Sequence, residues 1–134
     1  MKSVTIIAED RVGLLADISY ILGKSNVNID GLAADVISGK AIISLEVKDA
    51  KKAIEILGSN GFNTAHPDAI VIKASSDAGG RIAEMLEGEK ISVTEFSVLT
   101  SDSTDGIFAI NVDKPRKAVK MLSPFILGNA LNPY

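Results

Sequence analysis

The stretch EDRVGLLADISYILGKSNVNI, from Glu9 to Ile29, joins a short polar turn to an apolar helix and then to a Val-Asn-Ile triplet. A β-branched run from Val4 to Ala8 precedes the turn and predicts a strand. The apolar residues after the turn recur at helical spacing, on one face of a predicted helix: Leu14, Leu15, Ile18, Ile21 and Leu22. The stretch therefore predicts a strand, a glycine-containing turn and an amphipathic helix in direct succession.

Two further strands and a second helix follow in the first half of the chain. The runs Val27 to Ile37 and Ala41 to Val47 are strand-like, and the Ser-Gly pair between them is a two-residue hairpin signal. Asp49 is suited to cap a second helix. Phe62 to Ala65 then predicts a short final strand. The predicted order of elements is β-α-β-β-α-β.

The second half of the chain repeats the same order of apolar positions, although the identity between the halves is low. Gly80 aligns with Gly13, and Asp77 aligns with Asp10. After three residues are dropped from the second half, the triplet Ile91 to Val93 aligns with the earlier Val-Asn-Ile. The repeat predicts two copies of one unit, the first covering residues 1–67 and the second residues 68–134.

In the second copy, the first helix is predicted to be roughly one turn shorter than its counterpart. Pro115 suits the first turn of the last helix, and Pro124 stops that helix. The remaining predicted elements are strands at Ile70 to Ala74, Ile91 to Thr100 and Ile107 to Val112, the helix from about Gly79 to Glu87, and a short last strand at Phe125 to Leu127.

A β-α-β-β-α-β unit is an α+β fold of the ferredoxin-like kind, with an antiparallel four-stranded sheet and both helices on one face. The other face of each sheet has no cover from its own copy. A unit of about 65 residues is also marginally stable alone. We therefore expect the units to pair, and the chain to form at least a homodimer.

Composition excludes several classes of function. A net charge of −3 and only 4% aromatic residues argue against nucleic-acid binding. The absence of cysteine excludes disulfides and thiol chemistry, and a single histidine, His66, argues against a metal site. The N-terminus meets charge too soon for a signal peptide, and no apolar run reaches the length of a membrane span. We expect a cytoplasmic protein without a cofactor.

The turn before the first helix is the most informative candidate site. It opens a helix, whose first N–H groups have no intrahelical partners and suit an anion such as a carboxylate. Gly13 allows close backbone approach, and Asp10 is suited either to cap the helix or to accept an ammonium group. Asn28, predicted to open the next strand, offers a donor and an acceptor. These groups together suit an α-amino acid, although Asp10 as a plain cap and Asn28 as a plain turn residue remain alternatives.

The segment DRVGLLADISYILGKSNVNI resembles the opening of an ACT domain, in which an Asp/Asn-x-x-Gly turn leads into a Gly-Leu-Leu-x-x-Ile helix and Asn-Ile begins the second strand. The resemblance covers the first copy well and the second copy loosely. It implies a tandem ACT protein without a catalytic domain, which binds amino-acid effectors between units. The ligand-contacting positions that it implies in the first copy are Asp10, Arg11, Val12, Gly13, Leu14 and Asn28.

The second copy departs from the ACT pattern. Asp77 and Gly80 lie in its turn, but Ser92 stands where the family favours asparagine. We therefore expect the first turn to be the main site and these three residues to form a facing wall.

The resulting hypothesis is a regulatory protein, not an enzyme, whose amino-acid ligand changes how units or a regulated metabolic enzyme pack. The alternatives are a ligand-free interaction module and, less favoured, a small enzyme. The chain has no obvious acid–base pair or nucleophile for the latter.

Overall fold

The computed structural model describes residues 2–66 and 68–127, which divide into two compact units. The first unit contains residues 2–66 and the second contains residues 68–127. Pro67, at the proposed boundary, and residues 128–134, at the end of the second proposed domain, lie outside the described residues.

The first unit has the predicted order of strands and helices. Its sheet has the strand order β2-β3-β1-β4, and every neighbouring pair of strands is antiparallel. This arrangement confirms the α+β, ferredoxin-like prediction for the unit. The elements are β1 (Lys2–Glu9), α1 (Leu14–Lys24), β2 (Gly31–Ile37), β3 (Lys40–Val47), α2 (Ala50–Ser59) and β4 (Asn63–Thr64).

The core of the first unit lies between the sheet and the two helices. Alternate residues of β1 and β3 point towards the helices, as the pairing of Ile6 with Ile43 illustrates. Each buried aliphatic side chain of this kind contributes roughly 1.5–3 kcal/mol relative to an exposed one. The helices contribute Leu14, Ile18 and Leu22 from α1 and Ala53 and Leu57 from α2.

The second strand begins four residues later than the sequence predicts. Asn26 has a φ of 61°, and the N–H of Val27 donates to Leu22 O at 2.9 Å, so this part of the chain still closes the end of α1. Pairing with β3 starts only where Gly31 opposes Glu46. Asn28 therefore lies in an irregular segment and does not open the strand, which corrects the prediction.

The turn between β2 and β3 is the two-residue hairpin that the Ser-Gly pair predicts. Ser38 has a φ of 52° and Gly39 a φ of 74°. Two successive positive φ values match the right-handed twist of the strands that they join.

The second unit repeats the order, except at its end. Its sheet has the order β5-β7-β6, and Ile126 forms an isolated antiparallel bridge to Ile72 on the free side of β5. The N–H of Leu127 also donates to Val71 O at 2.9 Å. The elements are β5 (Ile70–Ser75), α3 (Gly79–Gly88), β6 (Val93–Ser101), β7 (Asp105–Val112) and α4 (Pro115–Leu122).

The predicted last strand at Phe125 to Leu127 is therefore a single bridge. Ser123–Phe125 forms a 3₁₀ turn, which takes up the first residue of the predicted strand. Pro124 lies in the middle of this turn, where its fixed φ suits a helical conformation.

The first helix of the second unit is not one turn shorter than its counterpart. α3 has 10 residues and α1 has 11. Compared with α1 in the alignment of the two copies, α3 ends early, as predicted from the sequence. It also begins early, at Gly79, because Ala78 already has right-handed helical angles. Within the described parts of the chain, none of the helices combines the length and apolar character that crossing a membrane requires.

Candidate functional site

The turn between β1 and α1 is fixed to its own unit at both ends. The N–H of Asp10 donates to Gly39 O at 2.9 Å, which ties the turn to the β2–β3 hairpin. At the other end, the N–H of Leu14 donates to Arg11 O at 3.3 Å, and the N–H of Asp17 donates to Gly13 O at 2.9 Å. The turn therefore lies between an inner strand of the sheet and a buried first residue of α1, since Leu14 is 5% exposed.

Gly13 is the N-cap of α1 and has a φ of 84° and a ψ of 0°. This left-handed conformation is strained for any residue with a Cβ atom. The space around Gly13 is open, because a Cβ atom added there would meet no atom within 4 Å. The sequence pattern thus identified a glycine that the backbone requires, with free space directly in front of it.

Because glycine cannot cap with a side chain, the start of α1 keeps free donors. Among residues 2–66 and 68–127, no acceptor pairs with the backbone N–H of Leu15 or Ala16. These amides, together with the partial positive charge of the helix end, favour an anionic group at this point.

Arg11 does not point freely into solvent. Its Nη2 atom lies 2.7 Å from Asp17 Oδ2, on the first turn of α1, and both side chains are about half exposed. An exposed pair of this kind stabilises the fold by at most about 1 kcal/mol, so Arg11 is available for exchange with another carboxylate.

A cleft of about 310 Å³ adjoins the turn. It lies beside the end of β1, at a point where β4 no longer pairs with β1, since β4 covers only Ile6 and Ile7. Charges of both signs line the cleft, and Lys40 Nζ pairs there with Glu9 Oε1. The lining residues are Ile7, Ala8, Glu9, Arg11, Leu14, Lys40, Gly61, Phe62 and Asn63.

The cleft brings together only some of the residues that the sequence indicated. Arg11 and Leu14 line it, whereas Asp10, Val12, Gly13 and Asn28 do not. Val12 is fully exposed beside the turn. The side chains of Asp10 and Asn28 are exposed, and no hydrogen bond to either is found among the described residues, so Asp10 does not act as a side-chain cap for α1.

The second turn uses its acidic residue internally. Ser75 Oγ donates to Asp77 Oδ1 at 2.8 Å, and Arg81 Nη2 lies 3.5 Å from the same oxygen. The hydrogen bond from Ser75, and then the charge of Arg81, hold the pKa of Asp77 below its ordinary value of 3.8.

Gly80 and Ser92 do not reproduce the geometry of Gly13 and Asn28. Gly80 is the second residue of α3 and has no positive φ. The N–H of Ser92 donates to Asp113 Oδ1 at 2.9 Å, and Ser92 O accepts from the N–H of Asp113 at 3.1 Å, just before β6 begins.

One residue beside the second turn was not identified from the sequence. The ring of Phe96, on β6, packs at the start of α3, where a Cβ atom added to Gly79 would lie 3.1 Å from Phe96 Cζ. The same ring lies 5.3 Å from the ring of Phe108, between centroids. If the alignment of the two copies is extended along the second strand, Phe96 pairs with Leu32. This pairing shows an aromatic residue where the first copy has leucine.

The sequence also missed Lys40 and Glu9, which oppose each other directly across β3 and β1. The strand register could have predicted this pair, because the two-residue hairpin and the alternation of side chains together determine which residues of β1, β2 and β3 face each other. Gly61, Phe62 and Asn63 were assigned only to a helix end and a strand, since nothing local in the sequence indicates a cleft there.

No group of three or more histidine or acidic residues able to hold a metal ion occurs in the described residues. Asp102, in the β6–β7 turn, has a local role instead. It accepts the N–H groups of Asp105 at 2.7 Å and Thr104 at 2.8 Å, which lowers its pKa below 3.8.

No protein-family model matches the sequence, and no curated protein matches it significantly. A solved structure of a protein from Bacteroides thetaiotaomicron is similar over 99% of this chain and 96% of its own, with a TM-score of 0.50 and 19% identity. At this identity the likeness shows the fold alone. The likeness extends over both units, and the topology of the first unit is the α+β, ferredoxin-like order β-α-β-β-α-β that the sequence predicted.

Two further solved structures have lower TM-scores. The regulatory subunit of aspartate kinase from Thermus thermophilus has a TM-score of 0.43 and 14% identity, covering 88% of this chain and 87% of its own. The small subunit of acetolactate synthase from Thermotoga maritima has a TM-score of 0.41 and 11% identity, covering 93% and 88%. Likenesses this weak carry no argument about what this chain does.

Proposed function

We propose that this chain is a non-catalytic regulatory protein that binds an amino acid at the turn before α1. The observation that carries the proposal is that a cleft lined by charges of both signs adjoins the helix start, where two backbone N–H groups are unpaired. An α-amino acid has the matching pair of charges on neighbouring atoms. Its carboxylate suits the helix end, Arg11 and Lys40, and its ammonium group suits Glu9.

The size of the cleft supports a small ligand. At about 310 Å³ it lies at the lower limit of the usual range for small-molecule sites, roughly 300–1,000 Å³. Leu14 and Phe62 provide apolar contacts for a side chain, and Gly13 leaves room for close backbone approach.

We assign roles to the remaining predicted residues within the same proposal. The exposed carboxylate of Asp10, the amide of Asn28 and the exposed side chain of Val12 would approach a ligand from outside the cleft. Asp77, Gly80 and Ser92 would contribute only if a second unit faces this turn, as the ACT resemblance implies.

Regulation follows only if the ligand binds one arrangement of subunits more tightly than another. β2 provides a surface for such an arrangement, because it is an edge strand and carries an exposed apolar stripe on the helix-bearing face. We propose a cytoplasmic homodimer in which the β2 strands of two chains meet. A regulated metabolic enzyme is the proposed further partner.

A thermal-shift screen of the full chain against the twenty amino acids tests this proposal. A ligand at 100 times its dissociation constant adds about 2.7 kcal/mol, which raises the midpoint by roughly 3–6 °C in a chain of this size. We expect one amino acid to give such a shift, and Arg11→Ala and Asn28→Ala to reduce it. Glu84→Gln, which changes an exposed acidic residue of α3 that has no role in the proposed site, should retain it.

A ligand-free interaction module is the second candidate. The observation that favours it is the apolar stripe Leu32, Ala34 and Val36 on the free edge of the first sheet. If none of the twenty amino acids shifts the midpoint while the chain still self-associates, this second function replaces the first.

A further inference from the structure

We infer that Asp17 sets the charge selectivity of the proposed site, so that the cleft takes amino acids with uncharged side chains and disfavours aspartate and glutamate. The inference rests on the proposed function and names the class of its ligand. It starts from the carboxylates that pair with the two cations of the cleft. Asp17 is a positioning residue in this account, because it acts through Arg11 and does not itself contact the ligand.

Each cation of the cleft already has a carboxylate partner. Of the described residues that line the cleft, those with a charge are Glu9, Arg11 and Lys40. Lys40 Nζ pairs with Glu9 Oε1, so both members of this pair lie within the cleft. Arg11 Nη2 lies 2.7 Å from Asp17 Oδ2, and Asp17 does not line the cleft. The charge of Arg11 is therefore balanced from outside the space that a ligand would fill.

The chain fixes where Asp17 sits relative to Arg11. Asp17 lies on the first turn of α1, where the partial positive charge of the helix end favours a carboxylate. Its backbone N–H donates to Gly13 O at 2.9 Å, so the residue is anchored in the helix. The carboxylate of Asp17 therefore remains within reach of Arg11, which lies two residues before Gly13.

An amino acid with an uncharged side chain keeps every charge of the cleft paired. Its ammonium group takes Glu9 from Lys40, and its α-carboxylate replaces Glu9 on Lys40. The guanidinium group of Arg11 has further N–H groups for this carboxylate, while Asp17 still balances its charge. The cations are then Arg11, Lys40 and the ligand ammonium group, and they are matched in number by Glu9, Asp17 and the ligand carboxylate.

The side chain of aspartate or glutamate adds a carboxylate for which the cleft has no cation. It reaches Arg11 only by displacing Asp17, which leaves the carboxylate of Asp17 unpaired beside two ligand carboxylates of the same sign. The side chain of lysine or arginine likewise adds a cation without a partner in the cleft. Asp10 is exposed and lies outside the cleft, so its charge acts equally in the wild type and in the variants below.

Isothermal titration calorimetry of the full chain, at constant ionic strength, measures the affinity for each of the twenty amino acids. In the wild type we expect the tightest ligand to have an uncharged side chain. Aspartate and glutamate should bind more weakly, as measured by competition with that ligand. In Asp17→Asn, their affinity relative to the same ligand should rise by about twofold to fivefold, which is the range that an exposed ion pair gives.

Two further variants separate a local effect from a general effect of charge. Glu55→Gln removes the same charge from an exposed residue of α2 that does not line the cleft, and it should leave the relative affinity unchanged. In the presence of Arg11→Gln, the exchange Asp17→Asn should have no effect on the relative affinity, because the two residues act as a pair. Asp17→Ala replaces Asp17→Asn if that variant does not fold.

If the wild type binds an amino acid with a charged side chain most tightly, the inference is wrong and amino-acid binding stands. An unchanged relative affinity in Asp17→Asn would also overturn the inference. So would an equal rise in Glu55→Gln, or a rise that persists with Arg11→Gln, because Asp17 would then not act through Arg11. If no amino acid binds to the wild type or to Asp17→Asn, the proposed function fails and the inference fails with it.

Discussion

Gly13 is the residue whose role the sequence predicted most directly. The Asp-x-x-Gly turn required a glycine, and the structure gives it a φ of 84° with open space around it. Phe96 shows the opposite case, because no local pattern distinguishes a phenylalanine that fills a helix end from one in an ordinary core. Its role depends on Gly79 and Phe108, which lie far from it in sequence or on other elements.

Replacing Gly13 and Gly23 by alanine should have opposite effects on stability. Both positions have open space for a Cβ atom, but only Gly13 has a positive φ, whereas Gly23 lies in α1. Alanine reduces the conformational freedom of the unfolded chain equally at both positions. The difference between the two changes in unfolding free energy therefore measures the backbone strain at position 13. Gly13→Ala should lower the free energy of unfolding by about 1 kcal/mol, and Gly23→Ala should raise it by about 0.5–1 kcal/mol.

Urea unfolding with unchanged m-values measures both effects. Equal shifts of the two midpoints in the same direction would show that the left-handed turn imposes no strain.

The carboxylate of Asp77 should titrate below 3.8 because Ser75 donates to it and Arg81 lies beside it. A lowered folded-state pKa contributes stability above the unfolded-state value, and this contribution is lost as the pH falls through the folded-state pKa. Ser75→Ala should raise the pKa of Asp77 towards 3.8, as measured by NMR titration of the carboxyl carbon.

Ser76→Ala is the control for this titration, since Ser76 Oγ donates to Ser103 O and not to Asp77. The same pKa of Asp77 in the wild type and in Ser75→Ala would contradict the assigned cause.

At the scale of elements, strands and helices were predictable because hydrophobic periodicity and turn residues agree in the first unit. The hairpin at Ser38 and Gly39 is an example, since its length and residue types fix the register of both strands. The start of β2 was not predictable. Val27 belongs to the apolar run, but its N–H completes the end of α1 and its side chain enters the core.

The end of α3 depends on lysines of another element. Lys117 Nζ donates to Glu89 O at 2.9 Å, and Lys114 Nζ donates to Lys90 O at 2.7 Å, so the first turn of α4 binds the carbonyl groups that follow α3. We expect Lys117→Ala to destabilise this helix end by about 1 kcal/mol. Faster hydrogen exchange of the amides of Glu89 and Lys90 is the measurement.

Arg116→Ala is the matched variant on the same turn of α4, because among the described residues the Arg116 side chain has no hydrogen bond or ion pair to α3, and it should leave the exchange unchanged. Equal exchange rates in both variants would show that the lysine contacts do not hold the end of α3.

At the scale of the whole molecule, the repeat predicted two units of one fold, and the structure has two sheets with equivalent strand orders. The sequence predicted a short last strand in the second unit, but it did not predict the 3₁₀ turn at Ser123–Phe125, which takes up the first residue of that strand. The sequence indicated only one part of the difference between the two turns, namely Ser92 in place of asparagine.

Self-association through β2 should respond to a single charge. Val36 is 49% exposed on the free edge strand, and a lysine on an edge strand opposes pairing with another chain. We expect the wild type to sediment at twice the 14.1 kDa of one chain, and Val36→Lys to shift the equilibrium towards the monomer. Ser59→Lys, at the exposed end of α2, should leave the wild-type mass unchanged, whereas a monomeric wild type would refute the β2 interface.

Equilibrium dialysis of the full chain against an equimolar mixture of the twenty amino acids tests effector binding most directly, because it requires no prior choice of ligand. Amino-acid analysis of the two compartments gives the bound amount. We expect one amino acid to be enriched on the protein side, and the enrichment to be reduced in Arg11→Ala and retained in Glu84→Gln. Equal concentrations of all twenty amino acids on both sides would contradict the proposal that this chain senses an amino acid.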